Sequence, residues 1–491
     1  MLRIFALFAF LILTTTNLHA YLDPGTGSLL LSSVVAIFAS FIYFFKNIFY
    51  KVVSFSPKFL KSSLAQMGGG NRYTHNLNST QHFTNANSIV IYCEGGRYYG
   101  TFKPILDALD LLKHPYTYLT SDEGDPALKR ESNSFSIKEY IGVGNSAYTR
   151  LNFLKADICV LTTPSLQVLQ IKRSRAVKHY CHIVHSLTPM TYRTFGVDYF
   201  DSVLVANAIQ ANFVREIENA HNVKPKHIAI VGSTYLDELA HLGQSLRDST
   251  HQKDSHQNTK NPAHKTILIS PSWGKETLLS KYGLRLLEPL AKSPYHIIIR
   301  PHPQSLIGEA ESNNIKHLQN ALKDYSNVEW DIDSPNVIAF QKADLMISDF
   351  SSVIFDFVCL EGKPVLTVDF SFDSAGYDLA DIYDKSNIGE FWTFKALKRI
   401  GDRISEGDLP HIVEKINHIL ESNTQKSALV EVKNELWQFP HDSGTQATIE
   451  LLKIEREILE WRLGAFASEL NKIRSLDSML ENFTKAKKGS K

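Results

Sequence analysis

Short apolar runs recur along the 491-residue chain, each closed by a polar or glycine-containing turn. The first series lies at residues 89–93, 116–119, 157–161, 180–185, 202–205 and 228–231, with helical spacing at 102–112 between the first two runs. From about Ala240 to His264 the pattern lapses into Gln, Ser, Asp, His, Lys and Asn. It resumes at 266–269, 296–299, 327–330 and 344–347, and a helix from Val353 leads to a further strand after Pro364. Four- to six-residue apolar runs suit strands buried on both faces, with helices as crossovers of a parallel sheet. Two successive parallel α/β sheets are predicted.

Two longer apolar runs precede them. Residues 1–20 read as a signal peptide or a first membrane span, ending at Leu18-His19-Ala20. Residues 29–50 are long enough to form a transmembrane helix, and Lys46, Lys51, Lys58 and Lys61 place its far end in the cytoplasm. The expected arrangement is then a linker at 51–87, a first α/β domain at 88–239, a polar linker at 240–264 and a second domain at 265–445. A charged helical tail follows at 446–491, with apolar Leu451, Leu452, Ile458, Leu459 and Leu463 that pack on the body or on a partner. The expected location is the inner (cytoplasmic) membrane, with the body on the cytoplasmic side.

A net charge of +1 argues against nucleic acid as a partner. The four cysteines have neither metal-motif nor redox-motif spacing and read as buried free thiols. No metal or cofactor is expected.

Chemistry concentrates at predicted strand ends, where ligands of α/β sheets bind. In the second half, Ser270-Pro271-Ser272-Trp273 with Lys275 follows one strand, and Arg300-Pro301-His302-Pro303 follows the next. Ser348-Asp349-Phe350-Ser351-Ser352 opens a helix, where hydroxyls and free N–H groups suit an anion. Ser and Asp are also ordinary helix caps, so that segment alone has two readings. A diphosphate would use all three clusters together: fixed cations, hydroxyls and a helix N-terminus. In the first half, His185 ends a strand and is either a general base or a packed loop histidine. His182 falls on the opposite strand face, which disfavours joint metal binding. Glu94-Gly95-Gly96-Arg97 is a glycine-rich turn without a dinucleotide fingerprint.

These segments resemble the CDP-glycerol glycerophosphotransferase family of teichoic-acid-type polymerases and primases. Arg300-Pro301-His302-Pro303 is similar to the family's Arg-x-His-Pro loop. Ser348-Asp349-Phe350-Ser351-Ser352, Phe355-Asp356 and Lys363-Pro364 match its Ser-Asp-Tyr-Ser-Ser, Phe-Asp and Lys-Pro sequence, and Ser270-Pro271-Ser272-Trp273 its Ala-Pro-Thr-Trp segment. The resemblance implies an α/β fold of two Rossmann-like domains of GT-B type, here preceded by the N-terminal membrane segment. It implies catalytic roles for His185, as base, and for His302. Arg300, His302, Ser348, Asp349, Ser351 and Ser352 would hold the donor diphosphate, and Ser270, Ser272 and Lys275 would make further donor contacts. After His185 the chain departs from the family's His-Gly followed by Pro and Lys, reading Ser186-Leu187-Thr188-Pro189-Met190-Thr191.

The function so implied is transfer of a glycerol-phosphate or similar polyol-phosphate group from a CDP-activated donor to a lipid-linked surface glycan at the membrane. The same segments are compatible with a GT-B glycosyltransferase using a nucleotide sugar, and with a non-catalytic scaffold of surface-polysaccharide assembly. The sequence does not set the oligomeric state.

Overall fold

The computed structural model describes residues 88–189, 195–253, 265–369, 388–422 and 424–489. The first half supplies β1 (Ile89–Cys93), β2 (Tyr116–Thr120), β3 (Ser136–Tyr140), β4 (Ala156–Leu161), β5 (Val177–Ile183), β6 (Ser202–Val205) and β7 (His227–Ile230). All pair in parallel, in the order β3-β2-β1-β4-β5-β6-β7. The second half supplies β8 (Thr266–Ile269), β9 (His296–Ile299), β10 (Val328–Trp330), β11 (Leu345–Ile347), β12 (Val365–Val368) and β13 (Gly401–Ile404), ordered β10-β9-β8-β11-β12-β13 and also parallel.

Both orders reverse direction once. The chain steps outward from β1 to β2 and β3, then returns to place β4 on the other side of β1. It does the same around β8 and β11. Such switch points leave a crevice at the carboxyl ends of the two flanking strands.

β3 and β13 were not anticipated. Each is an edge strand with little fully buried surface, Ser-Ile-Lys-Glu-Tyr and Gly-Asp-Arg-Ile. A strand that covers one neighbour and otherwise meets solvent needs no apolar run.

Helices cover both faces of each sheet. On one face of the first, α1 (Tyr99–Leu112) buries Phe102, Ile105 and Leu109 against Ile89, Ile91 and Tyr118. α2 (Thr234–Lys253) runs through the first part of the expected 240–264 linker, because Leu236 and Leu239 anchor its start while His241, Gln244, Ser245, Arg247, Asp248 and Ser249 face outward. Residues 254–264 lie outside the described residues. In the second half, α3 (Val353–Glu361) carries a nearly all-apolar sequence between the sheet and α4 (Lys426–Leu436).

The final helix, α5 (Ser443–Gly489), leaves the second sheet and returns to the first. Its Ala447, Leu451 and Ile454 join the core beneath α1. The junction is fixed by buried Asp237 of α2, which accepts from Trp437 Nε1 (2.8 Å), His441 N (2.9 Å) and Ser443 N (3.0 Å). Gly444 permits the close approach: a Cβ there would lie 2.6 Å from the Pro104 carbonyl oxygen. Helix propensity alone favours Ala over Gly by about 1 kcal/mol, whereas overpacking of this kind costs about 1–3 kcal/mol. Gly444→Ala is therefore expected to lower the thermal midpoint. Gly464→Ala, whose Cβ would meet nothing within 4 Å, should leave it unchanged or raise it; differential scanning calorimetry of both decides.

The expected membrane segment is corrected at this point: the described fold is two α/β sheets without one. Among the described residues no helix is long and apolar enough to cross a membrane. α5 has the length, at 47 residues, but charged side chains recur along it. The runs at 1–20 and 29–50 and the linker at 51–87 lie outside the described residues.

Candidate active site

A cleft of about 770 Å³ opens between the two sheets, at the carboxyl ends of their strands. From the first sheet it is lined by Arg97 and Tyr98 after β1 and His185 to Pro189 after β5. From the second it is lined by Ser270 to Trp273 after β8, Arg300 to Pro303 after β9, and Phe350 to Val353 with Asp356 at the start of α3. Both switch points thus face one cavity.

β5 ends at Ile183, so His185 lies two residues past the strand with its ring in the cleft. Its Nδ1 is 2.8 Å from Thr162 Oγ1, just beyond β4, and its ring lies 5.1 Å from that of Tyr98. Burial, then the Arg97 charge, lowers its pKa to about 4. At neutral pH the imidazole is uncharged. With Nδ1–H donating to Thr162, the Nε2 lone pair is available to a hydroxyl proton. His182 has a different setting: it is fully buried, its ring 5.0 Å from Phe200, and burial pushes its pKa down to about 3.

His302 caps the short helix Pro303–Leu306 and accepts the Gln304 N–H at Nδ1 (3.1 Å). A nitrogen that accepts carries no proton, so neutral His302 holds its hydrogen on Nε2 and is a donor there. Burial lowers its pKa, partly offset by the Glu311 charge. Trp273 packs beside it, ring centroids 6.3 Å apart.

The two readings of 348–352 separate residue by residue. The Ser352 side chain makes no capping hydrogen bond to α3, and Ser351 and Ser352 both line the cleft at the positive end of the helix dipole. Ser348 and Asp349 turn inward. Ser348 Oγ donates to Ser270 O (2.6 Å). The buried Asp349 carboxylate accepts from Ser272 N (2.8 Å), Phe350 N (2.8 Å) and Leu278 N (3.0 Å), tying the β8 and β11 loops together. Burial raises the Asp349 pKa, and those N–H bonds offset the rise. These two residues brace the loops beneath the cleft and do not line it.

Arg300 lines the cleft but is already engaged. It donates to Asp331 Oδ2 (2.6 Å), Asn336 Oδ1 (2.9 Å), Ser334 Oγ (3.2 Å) and the Ser334 carbonyl. Its geometry is that of a brace for the Pro-rich loop. Ser270 and Ser272 line the cleft, whereas Lys275 is exposed outside it.

Arg97 carries more than the glycine-rich turn before it suggested. Its guanidinium lies 4.7 Å from the Tyr98 ring centroid, and among the described residues no carboxylate is at ion-pair distance from it. It is a cation held at the mouth of the cleft on the His185 side. Its position at the β1 end of the switch point was the available signal. Asp356, on the cleft floor, has its pKa pushed up by burial to about 7. Among the described residues no cluster of His, Cys, Asp and Glu could hold a metal ion.

The model of the CDP-glycerol:poly(glycerophosphate) glycerophosphotransferase family matches residues 77–382. The chain belongs to that family. It is 30% identical over 149 residues to the minor teichoic acid biosynthesis protein GgaB of Bacillus subtilis (strain 168), a match covering 26% of this chain and only 16% of that longer protein. In fold it is similar to the wall teichoic acid polymerase TagF, at 18% identity and a TM-score of 0.52, covering 77% of this chain and 91% of that one. A variant of the same polymerase gives a TM-score of 0.50 over 78% of this chain and 92% of that one, again at 18% identity.

Proposed function

We propose that the cleft transfers a glycerol-phosphate or similar polyol-phosphate group from a CDP-activated donor to a hydroxyl of a lipid-linked surface glycan. The observation that supports this most is the juxtaposition across one cavity of a neutral, half-buried imidazole, His185, and an anion cradle formed by His302, Ser351 and Ser352. The acceptor class is proposed by analogy with the teichoic acid biosynthesis protein and the wall teichoic acid polymerase that the chain resembles.

In this reading the donor diphosphate lies against the amino end of α3. His302 Nε2–H and the two serine hydroxyls donate to its oxygens. His185 Nε2 takes the acceptor's hydroxyl proton, and the acceptor oxygen bonds to the phosphorus that bears the polyol. The bond from that phosphorus to the bridging oxygen breaks, and CMP leaves with the electron pair. The products are the extended glycan, CMP and the proton held on His185. Donors positioned before the charge develops contribute to this step without reorganising. Arg97, on the opposite wall, is placed to balance charge on the transferred phosphoryl group.

A thermal-shift series with CDP, UDP and GDP, followed by CMP release from CDP-glycerol, tests the reading. CDP is expected to stabilise the protein most, with CMP released only when the donor carries the polyol-phosphate. Stronger stabilisation by UDP or GDP would instead favour a nucleotide-sugar glycosyltransferase. No stabilisation by any of the three would favour a scaffold.

A further inference from the structure

From Leu463 to Glu481 every described side chain of α5 is exposed, so this part of the helix projects roughly 28 Å beyond the body. It is not polar all round. Leu459 (46% exposed), Leu463 (69%), Phe466 (69%), Leu470 (37%) and Ile473 (55%) follow one another at alternating intervals of four and three residues. That is the d-a-d-a-d sequence of a heptad repeat, and Leu480 continues its spacing beyond Asp477. The stripe lies about a quarter turn around the helix from Leu451, Ile454 and Ile458, which face the first sheet. The body therefore does not cover it. An isolated projecting helix of this length is marginal in water, and its apolar stripe amounts to on the order of 500 Å².

We propose that this distal part of α5 pairs with the same helix of a second copy of the chain, as a parallel two-stranded coiled coil. The charges flanking the seam favour that occupant. Glu469 falls at a g position and Arg474 at the following e position. In a parallel pair Glu469 meets the partner's Arg474, and two-fold symmetry repeats the contact. A lipid surface fits less well, because an interfacial helix concentrates Lys and Arg on its polar face. Along the stripe Glu460, Glu469, Asp477 and Glu481 are interspersed with Lys472 and Arg474, Arg462 is paired with Asp157 of the body, and Lys485, Lys487 and Lys488 follow only beyond the stripe.

The pairing is independent of the chemistry in the cleft and is tested on the full chain. Cys93, Cys159, Cys181 and Cys359 are all buried, so an added thiol reports alone. Under mild oxidation Ile473→Cys is expected to give a disulfide-linked species of twice 55.5 kDa, while Ser475→Cys, pointing away from the seam, is not. Glu469→Lys in the Ile473→Cys background should slow the cross-link several-fold, and adding Arg474→Glu should restore it. Equal cross-linking at 473 and 475, or none at either, would overturn the proposal. So would vesicle binding that depends on Leu470 and Ile473 in a chain that sediments as a monomer without lipid.

Discussion

His185→Ala is expected to lower the turnover of CMP release by roughly 10²–10⁴-fold, the range associated with losing a positioned general base, while CDP binding changes little. The split follows from geometry: His185 stands on the first sheet, across the cleft from His302, Ser351 and Ser352, the cradle proposed for the diphosphate. Titration calorimetry with CDP and a CMP-release assay separate the two quantities. A comparable loss of CDP affinity would show that the histidine is part of the donor site.

The same residue carries a pH signature. In the free enzyme its pKa is lowered to about 4, chiefly by burial. A bound donor brings negative charge into the cleft and raises the pKa of a neighbouring imidazole. The acid limb of kcat, which reports the complex, is thus expected at higher pH than that of kcat/KM, which reports free enzyme. Stability moves with pH as well. His182 and His185 have folded pKa values of about 3 and about 4 against 6.5 when unperturbed, so acidification protonates the unfolded chain first. Their contribution is complete above about pH 6.5 and falls as pH drops towards 4, by on the order of a few kcal/mol in total. Thermal midpoints of His185→Gln should fall less steeply over that window than those of the parent.

His302→Ala is expected to weaken CDP binding by about 10- to 100-fold, the scale of one hydrogen bond to a charged oxygen at roughly 1.5–3 kcal/mol. The Nε2–H it presents is fixed by the Gln304 N–H bonded to Nδ1, so removing the ring removes an oriented donor. Ser351→Ala with Ser352→Ala should act in the same direction and more weakly, since the helix dipole and backbone N–H groups remain. Calorimetry with CDP reads both, and unchanged affinity in His302→Ala would remove the cradle from the donor site.

The central strands were legible because burial on both faces demands apolar runs, as in Ile-Val-Ile-Tyr-Cys of β1 and His-Ile-Ile-Ile of β9. The edges β3 and β13 meet no such demand and left no trace. Strand-end placement also located His185, His302, Ser351 and Ser352 in the cleft. It did not distinguish hydroxyls that face a ligand from side chains that staple the loops beneath it. Ser348 and Asp349 share a segment with Ser351 and Ser352, and only backbone direction through the turn separates their roles. Arg300 matched the expected loop, but its partners Asp331, Ser334 and Asn336 lie more than thirty residues away and could not be read locally. Arg97 was overlooked because its turn lacks a fingerprint, although the order β2-β1-β4 makes that turn half of the crevice.

The return of α5 to the first sheet bears on how the protein is made. Ile89 and Ile91 of β1 share a core with Leu451 and Ile454, more than 350 residues later. The half synthesised first therefore leaves the ribosome with one sheet face covered only in part, by α1, and stays so until the final helix emerges. Premature termination anywhere in the second half would leave an incomplete second domain and also a first domain with part of its core open to solvent.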